Sequence, residues 1–328
     1  MANVNTNRWE ERVLRVFRHG ARDFVNFGEE TSSVDGQYTA WAGAGVSPDD
    51  EAHISPQSML EIRLNAQDLS LPEGFDPAKD TVFYTASPLV RCVETIRNVN
   101  IGMNNAQLLK GGVPVAKING VHAMAPAVKA TAAPYRLTFV GDKAGHPALG
   151  EPAFFAYVDG KLVEDHEGNQ LFVESSTPEN KGRFPSGSFR YQATVAMDQG
   201  DDRIQETPEQ VAQRGLAYLV PKLSEGRQRV VQGATHTFGI EALFNAVRGV
   251  PMGNDGNDLY ANAEGSFDQG GFFEVRVQYD ADKTKFADRM QIARTMDFDR
   301  RQETDGYNGM KLLSPQEIPS GTLLRFLR

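Results

Sequence analysis

Apolar and polar positions along the chain alternate between two rhythms, short strand-like runs and longer helical stretches. The first run, Val13-Leu14-Arg15-Val16-Phe17, is rich in strand formers and stops at Arg18-His19-Gly20. It predicts a buried strand ending in a polar loop. Ser55 followed by Pro56 signals a helix start, since Ser can cap free amides and Pro fits the first turn. Met59, Ile62, Ala66 and Leu69 then recur at three and four residues and predict one apolar helical face. A second strand-like run, Thr81-Val82-Phe83-Tyr84-Thr85, leads into Ser87-Pro88, and Leu89 to Val99 has helical composition.

Between about Asn104 and Gly200 the rhythm is lost. Gly, Pro and Ala are frequent there, with a hairpin signal at Val158-Asp159-Gly160-Lys161. This stretch reads as an inserted subdomain or cap, residues 104–200, within one α/β domain spanning 8–328. Regular alternation returns at Thr207-Pro208-Glu209-Gln210, which has the spacing of a capping box. A helix to about Ser224 follows, carrying Leu216, Leu219, Val220 and Leu223 on one side. Arg229 to Thr235 then reads as a strand with His236 directly after it, and Ile240, Leu243, Phe244 and Val247 mark a helix before Gly249. Phe272 to Tyr279 alternates like a further strand. Strand and helix in alternation predict a three-layer α/β sandwich, a mostly parallel central sheet with helices on both faces.

Composition narrows the function classes. At 328 residues, 40% hydrophobic and 23% charged, the chain has the make-up of a globular protein and not of a disordered one. Its formal net charge of −9 repels nucleic acid and anionic membranes, so neither is an expected partner. A single cysteine, Cys92, excludes an intrachain disulfide and any multi-cysteine metal site. The N-terminus is polar and lacks the basic start and apolar stretch of a secretory signal, and no run has the length of a membrane-spanning helix. The expected location is therefore the cytoplasm.

Three strand ends carry unusual residues: Arg18, His19 and Arg22 after the first, Ser87 and Arg91 after the second, His236 after the third. In an open α/β sheet, ligands bind where strands give way to loops, so these residues are expected to converge. Three guanidiniums and two imidazoles around one point suit a tetrahedral dianion, because Arg offers forked donors matched to phosphate oxygens. A neutral imidazole can attack phosphorus to form a phosphohistidine that water resolves, and His19 is the expected nucleophile. Arg18, Arg22, Arg91 and a protonated His236 would stabilise the transferring group's charge. Gly20 is expected to let the backbone approach the phosphate closely. Ser87 reads as a turn former, and His53, His122, His146 and His166 show no metal-ligand spacing.

The run Arg18-His19-Gly20-Ala21-Arg22 resembles the R-H-G-x-R signature of the histidine phosphatase superfamily. Tyr84-Thr85-Ala86-Ser87-Pro88-Leu89-Val90-Arg91-Cys92-Val93-Glu94-Thr95 is similar to the S-S-P-L-x-R-A-x-x-T segment of its phosphoglycerate mutase branch. Ile54-Ser55-Pro56-Gln57 to Leu69 is similar to that branch's L-T-x-x-G helix. Gln205-Glu206-Thr207-Pro208-Glu209-Gln210 with Arg214 resembles a G-E-S helix start, and Val230 to Leu243 resembles V-x-V-x-H-G-G-x-I-x-x-L. The likeness covers roughly Arg12 to Thr95 and Glu206 to Tyr279 and leaves the middle unmatched.

This resemblance implies a phosphoglycerate mutase-like fold with a large insertion, and hydrolysis of a small phosphorylated substrate without metal or organic cofactor. It also implies His19, His236 and a carboxylic acid as catalytic groups. The acid is where the chain departs from the family. His236 is followed by Thr237 and not by the aspartate donor of the acid phosphatase branch, and no acidic residue occurs from Ile96 to Val140. Leu149-Gly150-Glu151-Pro152-Ala153-Phe154 resembles the family's L-x-E-x-x-F segment, which makes Glu151 the candidate, with Glu174 and Asp142 as alternatives. A mutase-like phosphotransferase and a non-catalytic phosphate-binding module that has lost its donor are the competing functions.

Overall fold

A computed structural model describes residues 9–21, 53–110, 115–118, 121–124, 137–150, 154–155, 157–158, 161–162, 172–173, 207–252, 267–295 and 312–326. Seven strands form the main sheet: β1 (Trp9–Arg18), β2 (Thr81–Ala86), β3 (Thr138–Gly141), β4 (Gln228–Thr235), β5 (Phe272–Asp280), β6 (Lys285–Arg294) and β7 (Gln316–Pro319). Their order is β7-β6-β5-β1-β4-β2-β3. From β1 through β4 and β2 to β3 all pairs are parallel. On the other side of β1, the β5, β6 and β7 pairings are antiparallel. The parallel half matches the expected alternation of strand and helix. The antiparallel half arises because β5 returns to β6 through a tight turn, with no helix between them to reverse the chain.

Strand parity distributes the helices. Leu14 and Val16 of β1 and Val231 of β4 face a core shared with α3 (Pro208–Ser224) and α4 (Thr237–Arg248). Phe17, Ala86 and Ala234 face a second core with α1 (Pro56–Gln67) and α2 (Val90–Lys110). The result is the expected three-layer sandwich. α3 starts on the capping box read from the sequence: Thr207 and Gln210 bond each other's backbone amides. Ser55 caps α1 by accepting from Ser58, and α4 ends at Gly249 in the left-handed conformation, which Gly adopts without a Cβ penalty.

Two elements run further than the pattern suggests. α2 continues to Lys110, eleven residues beyond Val99, through an Asn-rich stretch of modest helix propensity. Tertiary packing explains it: Met103 and Ala106 are buried, and Gly102 lies so close to α1 that a Cβ would sit 2.3 Å from the Arg63 carbonyl oxygen. The main sheet also takes β3 from the stretch 104–200, and the buried Leu149 of that stretch joins the core shared with α3 and α4. Elsewhere in that stretch, Tyr157–Val158 pairs antiparallel with Lys161–Leu162, as the Asp159-Gly160 signal predicts. No helix among the described residues is long and apolar enough to cross a membrane.

Candidate active site

The parallel register gathers the strand ends. Arg18 lies opposite Thr235 and Ala234 opposite Ala86, so His19, His236 and Ser87 leave the sheet at nearly one level. Backbone bonds extend the pairing past the strands: the His19 amide donates to Thr235 O at 3.0 Å and the Ser87 amide to Ala234 O at 2.7 Å. The two imidazoles stand 5.5 Å apart between centroids, tilted by 58°.

His19 is held as a nucleophile would need to be. Its Nδ1 lies 2.8 Å from the carbonyl oxygen of Gly20. A carbonyl only accepts, so Nδ1 carries the proton and Nε2 keeps its lone pair. The ring is buried, at 4% exposure, and its pKa is pushed well below the ordinary 6.5. Burial is the largest cause; the positive charges of Arg91 and Arg18 act in the same direction, as does His236 whenever it is protonated. His19 is therefore neutral at pH 7.

The loop carrying His19 is braced from both helices behind it. The Gly20 amide donates to Thr95 Oγ1 at 2.9 Å, and that hydroxyl donates to Arg91 O at 2.7 Å. The Ala21 amide donates to Ser58 Oγ at 2.9 Å. A Cβ at Gly20 would lie 2.5 Å from Ser58 Oγ and 2.9 Å from Ile62 Cδ1. A side chain at Gly20 would thus have to displace the ends of Ser58 and Ile62 on α1.

Arg91 is fully buried, and its Nη2 donates to His236 Nδ1 at 3.0 Å. A guanidinium has no acceptor, so Nδ1 offers its lone pair and the ring proton sits on Nε2, which donates to Ser87 Oγ at 2.8 Å. Ser87, read as a turn former, is the residue that orients the ring. Arg18 donates to the carbonyl oxygen of Phe267. The first turns of α2, which holds Arg91, and of α4, which follows His236 directly, also begin here and add the partial positive charge of their free amides.

Of the remaining candidates, Arg22, Glu151 and Glu174 lie outside the described residues. Asp142 follows β3 and accepts from the Ala144 amide at 3.1 Å, a turn-forming contact. His53 pairs with Glu94 at 2.6 Å, and His146 stacks on Tyr218 at 3.7 Å. Thr95 and Ser58 were given no role in the sequence reading. Thr95 sits one helical turn after Arg91, a spacing that places both on the same face, and that was the signal available. Among the described residues no group of three His, Cys, Asp or Glu is arranged to hold a metal ion.

No protein-family model and no curated protein matches the chain. The solved structures it is similar to include phosphatases of the histidine phosphatase superfamily. A mycobacterial glucosyl-3-phosphoglycerate phosphatase matches at 14% identity over 84% of this chain and 96% of that chain, with a TM-score of 0.40. YhfR of Bacillus stearothermophilus matches at 14% over 84% and 94%, with a TM-score of 0.41. A structure titled mycobacterial hydrolase 2 matches at 14% over 93% and 94%, with a TM-score of 0.40.

Proposed function

We propose that this chain is a phosphomonoester hydrolase that works through a phosphohistidine on His19. The observation carrying this reading is the state of His19: neutral, with its proton on Nδ1, its lone pair on Nε2, and two cationic side chains, Arg18 and Arg91, close enough to depress its pKa. In the first step Nε2 attacks phosphorus, the P–O ester bond breaks, and the leaving oxygen takes a proton from a carboxylic acid. In the second step water attacks the phosphohistidine and gives a proton to the carboxylate left by the first step, the P–N bond breaks, and inorganic phosphate leaves with the histidine and the acid restored. Arg18, Arg22 and Arg91 bind the phosphoryl oxygens and balance their charge through both steps. Glu151 is the proposed proton donor. His236 is oriented by Ser87 and becomes a phosphoryl contact once Arg91 turns from it to the substrate.

In this reading the domain spans residues 8–328, and the stretch 104–200 shapes the pocket around a small phosphorylated substrate. Hydrolysis is preferred to mutase chemistry because it asks only that water reach the phosphohistidine.

Rapid mixing with a ³²P-labelled aryl phosphate, quenched in base, tests the reading. The parent should retain label that acid then releases, and His19→Ala should retain none. A parent that turns over without trapping label, or a variant keeping more than about a tenth of the rate, a loss of only ~1.4 kcal/mol, would sink it. Binding of phosphate with no turnover of the aryl ester would favour a non-catalytic phosphate-binding module.

A further inference from the structure

The carbonyl that takes the His19 proton belongs to a peptide unit whose other end is also held. Gly20 C=O accepts from His19 Nδ1 at 2.8 Å, and the N–H of the same unit, on Ala21, donates to Ser58 Oγ at 2.9 Å. The units on either side are tied separately: the Gly20 amide donates to Thr95 Oγ1 at 2.9 Å, and Ala21 O accepts from the Ser55 amide at 2.7 Å. Ser58 is buried in the capped first turn of α1, where its own amide donates to Ser55 Oγ at 3.2 Å.

A peptide unit is planar, so its C=O and N–H turn together. Gly20 has no Cβ to restrain that rotation. The bond from Ala21 to Ser58 therefore fixes the direction in which the Gly20 carbonyl points. It also polarises the unit and makes its oxygen a stronger acceptor. Which nitrogen of a neutral imidazole carries the proton is set by the hydrogen bond the ring makes, so a hydroxyl on α1 selects the His19 tautomer through one rigid unit.

We infer that Ser58 is a positioning residue for the nucleophile, holding the Gly20–Ala21 unit so that His19 keeps its proton on Nδ1 and its lone pair on Nε2. The effect on turnover rests on the phosphohistidine reading, and the effect on the ring does not.

The test is ¹⁵N NMR of the histidine ring nitrogens at pH 7 in the parent, Ser58→Ala and Thr95→Val, with the His19 signals assigned by their loss in His19→Ala. The parent should show a protonated Nδ1 and a bare Nε2. Ser58→Ala should move both His19 signals toward the opposite tautomer and lower kcat on nitrophenyl phosphate by about tenfold, the worth of one hydrogen bond. The inhibition constant of inorganic phosphate should stay near the parent's. Thr95→Val loses a bond of equal length from the preceding unit and should keep the parent tautomer. Ser58→Cys, whose sulfur accepts only weakly, should move the ring in the same direction as Ser58→Ala and carries the test if that variant does not fold. A parent ring protonated on Nε2, an unshifted ring in the Ser58 variants, or an equal shift in Thr95→Val would overturn the positioning role alone. Absence of a phosphoenzyme in the parent would overturn the phosphohistidine reading and the kcat effect with it, while the ring signals still decide the role of Ser58.

Discussion

Charge at a single ring governs the chemistry proposed for this site. His19 is kept neutral by burial first and by Arg91 next, so the acid limb of kcat/KM should fall well below pH 6.5, where the imidazole finally takes a proton and loses its lone pair. Replacing Arg91 by Met removes one cause of the depression and leaves burial in place. The His19 pKa should therefore rise, and a ¹³C NMR titration should show the ring protonating at higher pH than in the parent; a titration that stays put or moves lower would contradict the assigned cause. Ser87→Ala removes the hydroxyl that lies 2.8 Å from His236 Nε2. Because Ser87 orients His236 and does not contact phosphorus, kcat should fall by about tenfold, the worth of one hydrogen bond of ~1.4 kcal/mol, while the variant melts within a few degrees of the parent. Both residues stand in one motif of the sequence, yet the sequence shows neither which nitrogen of His236 holds its proton nor that Ser87 is the acceptor.

Packing between α1 and α2 sets the position of the His19 loop, since Ser58 on one helix and Thr95 on the other each bond its backbone. Gly102 lets the two helices approach. A methyl there would sit 2.3 Å from Arg63 O and 2.7 Å from Ala66 Cβ, and backbone cannot yield as a flexible side chain can. Gly102→Ala, which by helix propensity alone should stabilise by up to ~1 kcal/mol, is instead expected to destabilise by about 1–3 kcal/mol through overpacking. Denaturant unfolding decides the sign, and activity should fall alongside as the loop is displaced. A gain in stability would show that α2 has room to move. Helix periodicity and caps made α1, α3 and α4 legible in advance because those signals lie within a few residues of each other. The length of α2 was not legible, since what sustains it past Val99 is contact with α1.

Across the whole molecule, the sheet carries a buried ion network on the α1–α2 side that the mechanism does not use. Arg15, fully buried, donates to Glu274 at 2.6 Å, and Arg276 bridges Glu274 and Glu11 at 2.6 and 3.0 Å. Burial alone would raise the pKa of Glu274, but Arg15 and Arg276 outweigh it, and the carboxyl is held below its ordinary 4.5. A depressed carboxylate stabilises the fold above its unfolded pKa, and that contribution is lost as pH falls through the folded value. Stability should thus decline below about pH 4.5, and Glu274→Gln should flatten that decline. At pH 7 the same variant should lose about 3–5 kcal/mol, because Arg15 is left as a buried charge with its partner gone. Chemical unfolding at the two pH values measures both effects, and a variant as stable as the parent at pH 7 would count against the network. Local patterning marked β1, β2 and β4, the caps, and the strand-end positions of His19, Arg18 and His236, because these depend on residues within one element and the turn that follows it. What only the tertiary structure decided was how Arg91 and His236, 145 residues apart in sequence, share one hydrogen bond, and with it which nitrogen of His236 accepts. It also decided that the sheet continues antiparallel beyond β1 and that Gly20 packs closely against α1. Register, helix approach and burial are long-range quantities, set by which surfaces exclude water together, and no run of neighbouring residues encodes them alone.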